Sequence, residues 1–510
     1  MKTIKKLMTL VLSIAMVLAM GVTAFAADIT ISGGDTGSEY AAYKLLNLTT
    51  STEGDKTNYS YTLNSKYKEI LKSVTGKTTE KDIVDYISKL NEKDTRIFAD
   101  AVYAQIKNNR EITADATTNT TTNVDKFTDV AQGYYLIAET TVGTAAGGQT
   151  GSYSLVMLDT AGQDNIAVNT KESVPTVVKK VKDVNDSTGV TTGWQDSADA
   201  DVGDELEYQL TGTVSAKIGE YKTYYYEFVD AMTRLTYVSD PASCKVFVDG
   251  VDCTLQFTVN WDETTKTLKV ICNDLKKLTD VKVDANTQIV VTYKATLDAN
   301  AVVGSTGNPN EVYLKYSNNP YGEGTGKTPV DKNIVFTYKT VINKVKEDGK
   351  KPLTGATFTL EKFVKAEAGR DTYENMHGNW VAKSTVETAP ESTFTFSGLD
   401  DGYYRLTETN SPAGYNKLEN PIYFTISATH DVESDNPGLT DFSGKATSGD
   451  ATFTPDKNAG SLTANVVNKT GTQLPSTGGM GTTIFYVVGT ILVLAAVVLL
   501  ITKKRMHADK

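Results

Sequence analysis

The chain has 510 residues, a formal net charge of −11 at pH 7 and three cysteines, Cys244, Cys253 and Cys272. The acidic balance argues against a nucleic-acid-binding protein, because phosphate backbones are bound by clustered lysine and arginine. Three cysteines are too few for disulfides to stabilise a chain of this length, and they are either three buried thiols or one disulfide and one thiol. The 27 tyrosines, together with many threonines, valines and glycines, predict an all-β protein built of β-sandwiches.

The N-terminus carries the pattern of a secretory signal peptide. Lys2, Lys5 and Lys6 precede a mostly apolar run over residues 7–20, and residues 24–26 form a small-x-small cleavage site. Such a segment is removed after export, so residues 1–27 are predicted to be a signal peptide. The roughly 450 residues that follow, up to a C-terminal motif, are too many for one hydrophobic core, and about three domains are expected.

The first predicted domain covers residues 28–172. It opens with a short strand over residues 29–32, and its apolar residues follow a helical spacing over residues 80–107. Strands resume at Gly133. We therefore predict a β-domain with a small helical insertion.

Residues 173–332 and residues 333–470 are predicted to be the second and third domains. Both alternate apolar and polar residues with the period of a strand, as in residues 288–293. An internal echo relates the first domain to the third, because residues 133–140 and 402–409 are identical at five of eight positions. This indicates two copies of one type of sandwich on either side of a different one.

The last predicted segment, residues 471–510, combines three features. An uncharged run over residues 484–501 is long enough to cross most of a bilayer as a helix. A basic cluster at residues 503–505 follows and would stop transfer on the cytoplasmic side. Before the run stands a pentapeptide made of Leu474, Pro475, Ser476, Thr477 and Gly478.

The order of these features resembles the cell-wall sorting signal that sortases read. Sortases are cysteine transpeptidases, and the resemblance implies cleavage between Thr477 and Gly478. The transmembrane helix would then belong only to the precursor, and the mature chain would be attached to peptidoglycan. An ordinary membrane anchor with a chance pentapeptide is the alternative.

The third domain resembles a Cna B-type domain of Gram-positive pilins, including the segment called the E-box. The matching segments are residues 341–345, 352–358, 404–415 and 464–469. Such domains form a spontaneous isopeptide bond between a lysine and an asparagine. The resemblance implies that Lys344 is the nucleophile, Asn468 the acceptor and Glu408 the catalytic acid.

These residue types fit that chemistry. A lysine amine attacks only when it is neutral, and burial between apolar sheets favours the neutral form because it lowers the pKa. A buried protonated acid can hydrogen-bond the carboxamide oxygen and transfer protons as ammonia leaves. A plain salt bridge between a buried glutamate and a lysine is the alternative interpretation.

The second domain resembles a Cna A-type domain, which forms the same kind of isopeptide bond. The matching segments are residues 175–181, 226–230 and 310–316. The resemblance implies that Lys179 bonds Asn310, with Asp230 as the catalytic acid. Asn318 or Asn319 could replace Asn310 as the acceptor.

The lysine of this domain also has a neighbour that could replace it, Lys180. Strand alternation lets only one of the two lysines face the core. Lys179 has the same parity as Val177 and Val181, which favours Lys179.

The first domain departs from the pattern. It keeps the segment around Glu139, but its opening strand over residues 28–32 contains no lysine. We therefore predict no isopeptide bond there, with Glu139 as either a structural relic or a hydrogen-bonding acid of the core. This domain is expected to be the least stable of the three.

Lys171 stands at the junction of the first and second domains. Residues 166–171 resemble the pilin motif, in which a lysine follows a Val-x-x spacing, although the usual Trp is absent and Asn169-Thr170 replaces Tyr-Pro. In pilins this lysine attacks the acyl-enzyme formed at the threonine of the next subunit's sorting signal. Subunits then join head to tail through a heterologous contact. A solvated linker lysine is the alternative.

The resemblance covers nearly the whole precursor and implies a sortase-assembled Gram-positive pilin made of tandem immunoglobulin-like β-sandwiches. The main interpretation is the backbone, or major, subunit of a cell-wall-anchored extracellular pilus used in adhesion. An ancillary pilin or a singly wall-anchored adhesin is the alternative. The implied partners are a pilus-specific sortase, identical subunits, peptidoglycan, minor pilins and a host surface ligand that the sequence does not identify.

The sequence predicts no enzymatic activity. Its three histidines are not accompanied by a Ser-His-Asp spacing, a zinc motif or a phosphate-binding loop. Neither a metal nor a cofactor is predicted. The resemblance to A-type sandwiches, which often bind calcium, leaves a calcium site as an alternative, but no EF-hand-like loop occurs in the sequence.

Overall fold

The computed structural model describes most of the chain. The described residues are 26–53, 56–118, 124–145, 147–170, 173–240, 242–365, 379–386, 392–471 and 480–506. Three sequence predictions lie outside these residues: nearly all of the signal peptide, the linkage lysine Lys171, and the pentapeptide at residues 474–478.

The N-terminal region, residues 26–170, combines two β-sheets with a helical insertion. Its elements are β1 (Ala26–Ser32), β2 (Glu39–Glu53), β3 (Lys56–Leu63), α1 (Lys68–Thr75), α2 (Glu80–Ile87), α3 (Glu92–Asn108), β4 (Ala116–Thr117), β5 (Val124–Ala131), β6 (Gly133–Thr141), β7 (Leu155–Asp159) and β8 (Asn165–Asn169). One sheet has the order β5-β1-β8, and the other has the order β3-β2-β6-β7.

The helical stretch predicted over residues 80–107 is two helices, α2 and α3, preceded by α1. Thr79 accepts a hydrogen bond from the backbone N–H of Asp82 at 3.1 Å, and Asn91 accepts one from Asp94 at 2.9 Å. Asparagine and threonine are preferred caps because their side chains satisfy an N–H of the first turn. Asn91 therefore starts a new helix in the middle of the predicted one.

The middle region, residues 173–336, is a two-sheet sandwich. Its strands are β9 (Val177–Val181), β10 (Val184–Asn185), β11 (Val190–Thr191), β12 (Ser197–Asp199), β13 (Glu205–Thr213), β14 (Tyr226–Met232), β15 (Leu235–Tyr237), β16 (Lys245–Val248), β17 (Val251–Asp252), β18 (Thr258–Asp262), β19 (Thr267–Cys272), β20 (Gln288–Leu297), β21 (Asn308–Ser317), β22 (Thr325–Lys327) and β23 (Asp331–Phe336). One sheet has the order β12-β23-β21-β14-β19-β18, and the facing sheet has the order β17-β16-β20-β13-β9.

The core of the middle region is aromatic and contains all three cysteines. Cys244, Cys253 and Cys272 are buried free thiols, the first of the two alternatives left by the sequence. Burial raises the pKa of the Cys244 thiol to about 12, so this thiol stays protonated and unreactive.

The C-terminal region, residues 338–471, is a second two-sheet sandwich. Its strands are β24 (Tyr338–Val345), β25 (Thr357–Val364), β26 (Asn379–Val386), β27 (Thr393–Leu399), β28 (Gly402–Asn410), β29 (Ile422–His430), β30 (Leu439–Ser448), β31 (Phe453–Asp456) and β32 (Ser461–Val467). The sheets have the orders β27-β24-β32-β31 and β26-β25-β28-β29-β30. Strands β24 and β32 are parallel, with Lys344 opposite Val466.

The sequence echo corresponds to the two strands β6 and β28, each in the interior of its sheet. The hydroxyl of Tyr135 in β6 donates to the carbonyl oxygen of Ala131, and the hydroxyl of Tyr404 in β28 donates to that of Asp400 at 2.7 Å. Both tyrosines thus fasten the strand to the turn four residues before them.

The boundary predicted between residues 332 and 333 falls inside β23. This strand pairs with β21, Asn310 lying opposite Asn333, and with β12. Residues 333–336 therefore belong to a sheet of the middle region, because their backbone groups are hydrogen-bonded within it.

Helix α4 (Met480–Met506) contains a segment, Ile484–Lys504, that is long and apolar enough to cross a membrane. Its side chains are exposed to solvent and not packed on the sandwiches. A helix that is apolar on all sides is typical of a membrane span, and this agrees with the predicted anchor.

Candidate functional site

The first candidate site lies between the two sheets of the middle region. Lys179 on the edge strand β9 is fully buried and points toward the facing sheet. The next residue, Lys180, lies on the opposite face of the strand and forms an ion pair with Asp196 at 2.7 Å. The pleat of the strand therefore leaves Lys179 as the lysine of this pair that reaches the core.

The hydroxyl of Tyr293 on β20 links the three predicted residues of this site. It accepts hydrogen bonds from Lys179 Nζ at 2.7 Å and from Asn310 Nδ2 at 2.9 Å. It donates to Asp230 Oδ2 at 2.9 Å, and the same carboxylate oxygen contacts Lys179 Nζ directly. Lys179, Asp230 and Asn310 are thus brought together, each with 0% exposure.

Tyr293 is a site residue that the motif segments do not contain. Its parity with Ile289 and Val291 in the alternating run was the signal that it faces inward. The ring stacks on Tyr208 with centroids 5.1 Å apart, and Lys179 Nζ lies 5.2 Å from each centroid. The aromatic faces hold the lysine head in a dry environment.

Burial shifts both titratable groups of this site toward their neutral forms. It lowers the pKa of Lys179, although the charge of Asp230 opposes the effect. It raises the pKa of Asp230, although Lys179 opposes the effect. A neutral amine beside a protonated acid is the pair that amide formation requires.

Three polar atoms of the site are buried without a hydrogen-bond partner in the described part of the chain: Asp230 Oδ1, Asn310 Oδ1 and the hydroxyl of Tyr208. Buried polar groups are normally paired. A proton on Asp230 Oδ1 would give that oxygen a donor to offer, and the Asn310 carbonyl oxygen is an acceptor. The unpaired oxygens of Asp230 and Asn310 therefore fit an acid that activates the carboxamide.

The alternative acceptors Asn318 and Asn319 make other contacts. Asn318 Nδ2 donates to the carbonyl oxygen of Gly151 in the N-terminal region at 3.1 Å, and Asn319 Nδ2 donates to that of Glu323 at 3.2 Å. Asn318 therefore joins the N-terminal and middle regions and does not contact Lys179.

The second candidate site lies inside the C-terminal sandwich. Lys344 Nζ on β24 donates to Asn468 Oδ1 at 2.5 Å and to the carbonyl oxygen of Val466 at 3.1 Å. Glu408 on the facing strand β28 places Oε1 at 2.8 Å from Asn468 Nδ2 and 3.5 Å from Lys344 Nζ. One carboxylate oxygen thus contacts both the amine and the carboxamide nitrogen.

The amine of the second site is also prepared by burial. Burial lowers the pKa of Lys344 to about 8, even though Glu408 favours the charged form. The second oxygen of Glu408 accepts from the backbone N–H of Leu418 at 2.8 Å, which fixes the carboxyl plane. Leu418 was not identified from the sequence, since a backbone donor leaves no residue-type signal.

Glu139 occupies in β6 the position that Glu408 has in β28. It is 1% exposed and accepts hydrogen bonds from Ser154 N at 3.0 Å and Ser154 Oγ at 3.1 Å. Burial raises its pKa to about 7, and hydrogen bonds from Ser38 and Ser154 limit the shift. Glu139 is therefore a hydrogen-bonded acid of the core.

Lys171 itself lies outside the described residues, but both flanks are held. The backbone N–H of Thr170 donates to Ser32 of the N-terminal region at 2.8 Å. Ser173 Oγ accepts from the backbone N–H of Ala216 in the middle region at 2.6 Å. Thr170 is thus held by the N-terminal region and Ser173 by the middle region.

A buried Ser-His-Asp contact also occurs, at the junction of the middle and C-terminal regions. Ser197 Oγ lies 2.7 Å from His430 Nδ1, and His430 Nε2 lies 3.4 Å from Asp183. Ser197 is fully buried and its hydroxyl donates to the carbonyl oxygen of Asp431. This serine has no route to a substrate, so the contact is a structural link between regions and not a nucleophile with its base.

The charge state of His430 makes this junction sensitive to pH. Burial alone would lower the pKa of His430, but hydrogen bonds and charges of Asp183 and Asp199 outweigh it and raise the pKa to about 9. A raised histidine pKa stabilises the folded state fully below the unfolded value of about 6.5, and the contribution is lost as pH rises through about 9.

We therefore expect the junction to lose up to about 3 kcal/mol between pH 6.5 and pH 9.5. His430→Gln should remove most of this pH dependence, because glutamine does not titrate. Thermal unfolding of both proteins across this range measures the effect. A wild-type protein whose unfolding temperature is as flat with pH as that of the variant would contradict the assignment.

Three family models match the chain. Residues 202–320 match a Gram-positive pilin backbone subunit 2, Cna-B-like domain; residues 339–437 match a prealbumin-like fold domain; and residues 466–507 match an LPXTG cell wall anchor motif. The model that matches the middle region is a Cna-B-like domain, so the A-type assignment of this region rests on the sequence segments alone.

Similar whole proteins are surface and pilus proteins. The chain is 25% identical over 405 residues to the trypsin-resistant surface T6 protein of Streptococcus pyogenes serotype M6, covering 68% of this chain and 71% of that protein. The T6 backbone pilin structure of the same organism matches at TM-score 0.54 and 16% identity, covering 88% of this chain and 99% of that one. The Corynebacterium diphtheriae major pilin SpaA matches at TM-score 0.48 and 12% identity, over 87% and 100% of the two chains.

The pilin-backbone model and the anchor model match successive segments of the chain. The structure of the described residues agrees with this order, because two β-sandwiches are followed by an apolar helix. These findings agree with a protein held at the cell wall and displayed outside it. Together the matches support a sortase-assembled Gram-positive pilin of the backbone type that carries an LPXTG cell-wall anchor.

Proposed function

We propose that this backbone pilin is stabilised by two intramolecular isopeptide bonds, Lys179–Asn310 and Lys344–Asn468. The observation that supports the proposal is the pair of buried sites in which lysine, asparagine and acid meet between apolar sheets. A sortase then joins identical subunits through Lys171 and Thr477 and attaches the fibre to peptidoglycan. Minor pilins and a host surface ligand complete the proposed set of partners.

The reaction in the C-terminal region is a transfer between three groups. The lysine ammonium gives a proton to Glu408, and the neutral Nζ of Lys344 attacks the Asn468 Cγ carbon. The C–Nδ2 bond breaks, and the leaving nitrogen takes the proton from Glu408 to depart as ammonia. The attacking Nζ gives its second proton to the same carboxylate, so the amide nitrogen keeps one hydrogen and Glu408 ends protonated. One amide bond forms and one ammonia is released, with no oxidant or cofactor.

The middle site follows the same course with Asp230 as the acid. The Tyr293 hydroxyl contacts all three groups, so it keeps the amine and the carboxamide at one place while the proton moves. Each bond forms once per molecule. We accordingly propose a structural protein with no enzymatic turnover.

The two bonds strengthen different parts of the chain. Lys179 and Asn310 lie on opposite sheets, so their bond would join the two layers of the middle sandwich. Lys344 and Asn468 lie at the first and last strands of the C-terminal region, which are parallel neighbours. Tension applied at the ends of that region would pass along covalent bonds and leave the sandwich folded.

We also propose the division into three domains, residues 28–172, 173–332 and 333–470, with one adjustment. The pairing of β23 moves the start of the third domain to Tyr338, after Phe336. Residues 471–510 form the sorting signal that follows the third domain.

The intact mass of the folded protein, without its signal peptide and anchor helix, tests the proposal of two bonds. Each bond removes one ammonia, so the mass should be lower than that of the linear chain by twice about 17 Da. Peptide mapping should find Lys179 joined to Asn310 and Lys344 joined to Asn468. An unchanged mass would overturn the proposal.

Polymerisation has its own expected result. Lys171→Ala should abolish the high-mass ladder in cell-wall extracts and leave single subunits, because the amine that attacks the acyl-enzyme is gone. Lys182→Ala, which removes a nearby lysine paired with Glu207, serves as the control and should keep the ladder. A ladder that persists in Lys171→Ala would point to another linkage lysine, and single bands in the wild type would favour a singly anchored adhesin.

A further inference from the structure

Asn333 on β23 is a buried polar side chain that none of the contacts described above uses. It is 0% exposed, and within the described residues neither its Oδ1 nor its Nδ2 has a hydrogen-bond partner. Folded proteins pair nearly all buried polar atoms, because an unpaired one has lost its hydrogen bonds to water without replacing them. A valine would fill the same place without that cost. An asparagine that is unpaired at both ends therefore points to a role other than packing.

The pairing of the sheet places Asn333 beside the acceptor of the middle site. Strand β23 is antiparallel to β21, and Asn333 lies opposite Asn310. Opposite residues of an antiparallel pair present their side chains on one face of the sheet, with Cβ atoms about 4.5 to 5.5 Å apart. Both asparagines are buried. Two carboxamides in this arrangement are within hydrogen-bond reach of each other.

The same strand also contacts the lysine of the site. Asp331, two residues before Asn333 in β23, accepts a hydrogen bond from the backbone N–H of Lys179 through Oδ2 at 2.6 Å. Residues two apart in a strand share a face, so Asp331 and Asn333 lie on one face of β23. This face therefore meets the strand of the nucleophile at one residue and the acceptor at the next.

The acceptor carboxamide has one atom that is still unpaired. Asn310 Nδ2 donates to the hydroxyl of Tyr293, whereas Asn310 Oδ1 is buried without a partner in the described part of the chain. Attack of an amine on the carboxamide carbon moves an electron pair onto this oxygen, which becomes negative in the tetrahedral intermediate. Donors fixed around such an oxygen stabilise the intermediate, and they act more strongly in a dry site than in water.

We propose that Asn333 is a catalytic residue of the middle site, which donates a hydrogen bond from Nδ2 to Asn310 Oδ1 while Lys179 attacks. This role presupposes the proposed isopeptide function and deepens it. A carbonyl oxygen has two lone pairs, so protonated Asp230 and Asn333 can donate to it together. Neither end of the Asn333 carboxamide is held by a hydrogen bond within the described residues, so the group is free to turn its nitrogen toward Asn310.

A second donor is needed because Asp230 cannot serve both ends of the reaction at once. When Lys179 Nζ bonds Asn310 Cγ, the electron pair of the carbonyl moves onto Oδ1. Asp230 then gives its proton to the leaving Nδ2 and takes one from the attacking Nζ, so ammonia departs. During this transfer Asn333 keeps a donor on the negative oxygen. The electron pair returns as the C–Nδ2 bond breaks, and Asn333 neither gains nor loses a proton.

The rate of bond formation during refolding tests this role. The protein without its signal peptide and anchor helix is isolated in urea from inclusion bodies, before the bonds form, and is then diluted to refold. Acid-quenched samples are mapped by mass spectrometry, and tryptophan fluorescence follows folding. In Asn333→Val the Lys179–Asn310 bond should form about 100- to 1,000-fold more slowly than in the wild type, as when one oxyanion donor is removed. The Lys344–Asn468 bond of the same molecules is the internal control and should form at the wild-type rate.

A second pair of variants separates catalysis from folding. Neither Asp230→Ala nor the double variant Asp230→Ala/Asn333→Val is expected to form the middle bond. Their thermal unfolding therefore compares asparagine with valine at position 333 in the absence of that bond. The double variant should be at least as stable as Asp230→Ala, because valine leaves no buried polar atom unpaired. A lower unfolding temperature in the double variant would assign Asn333 a structural role and overturn the proposal.

The mapping experiment also tells failure of this role from failure of the isopeptide function. A wild-type protein in which Lys179 never joins an asparagine would contradict the proposed function, and the role of Asn333 with it. A wild-type bond that forms no faster than the bond in Asn333→Val would overturn the role of Asn333 alone. A crosslinked peptide that joined Lys179 to Asn333 would make Asn333 the acceptor and would overturn its role as a donor.

Discussion

Replacing Glu408 by alanine is expected to abolish one of the two ammonia losses, so that the folded variant is lighter than its own linear chain by only one ammonia, about 17 Da, whereas the wild type is lighter by two. The carboxyl oxygen that contacts both Lys344 Nζ and Asn468 Nδ2 would be gone, so no group could carry the proton between them. The C-terminal region should also lose roughly 5 kcal/mol of stability, because the bond closes a loop of about 120 residues. Intact mass and chemical unfolding of this region measure the two effects.

Two variants control this experiment. Glu408→Gln keeps the volume of the side chain, and any weakening of the hydrogen bond from the backbone N–H of Leu418 is local. This variant therefore separates the loss of proton transfer from a loss of packing. It should also retain the ammonia. Glu139→Gln changes the matching acid of the N-terminal region, whose partners are Ser154 and Tyr40 and not a lysine, and its mass should show both ammonia losses. A Glu408→Ala protein with the wild-type mass loss would rule out Glu408 as the acid.

Lys179→Ala is expected to remove the other ammonia loss, whereas Lys180→Ala should keep it. The two lysines are neighbours in β9, but Lys179 is 0% exposed and contacts Asp230, and Lys180 pairs with Asp196 on the other face. The middle region should lose roughly 5 kcal/mol in Lys179→Ala, since the bond to Asn310 closes a loop of about 130 residues. In Lys180→Ala the loss should stay within about 1 kcal/mol, as for a partly exposed ion pair.

Mass spectrometry of the two variants gives the decisive comparison. If Lys180→Ala shows both ammonia losses and Lys179→Ala shows only one, the acceptor can then be mapped by digestion of the wild type. A crosslinked peptide that contained Asn318 or Asn319 in place of Asn310 would contradict the acceptor assigned from the contacts with Tyr293.

The two sites show how far residue patterns reach into the core. Strand alternation alone favours Lys179 over Lys180, because parity is a local property of the backbone. The motif segments predict that Lys344, Glu408 and Asn468 form one site, although the asparagine follows the lysine by 124 positions in the chain. In both sandwiches the acid comes from the sheet that faces the lysine, which is a consequence of packing two sheets together.

The helical insertion shows the opposite case. Apolar spacing predicted helix over residues 80–107, but the spacing does not reveal that Asn91 caps a new helix within that stretch. The apolar positions continue on both sides of the cap, so periodicity could not separate α2 from α3. The strand pattern near residue 332 is a similar case, since it continues from β23 into β24 and only pairing assigns each strand to its sheet.

By itself the amino-acid sequence determined the features that are written in consecutive residues: the apolar anchor run, the sorting pentapeptide, the strand periodicity and the residue types of the two sites. The tertiary structure alone decided which distant groups meet. Tyr293 joins Lys179, Asp230 and Asn310, and His430 reaches Asp183 across the junction, more than 200 positions away in the chain. Such contacts depend on how sheets and regions pack, and no local pattern of residues encodes them.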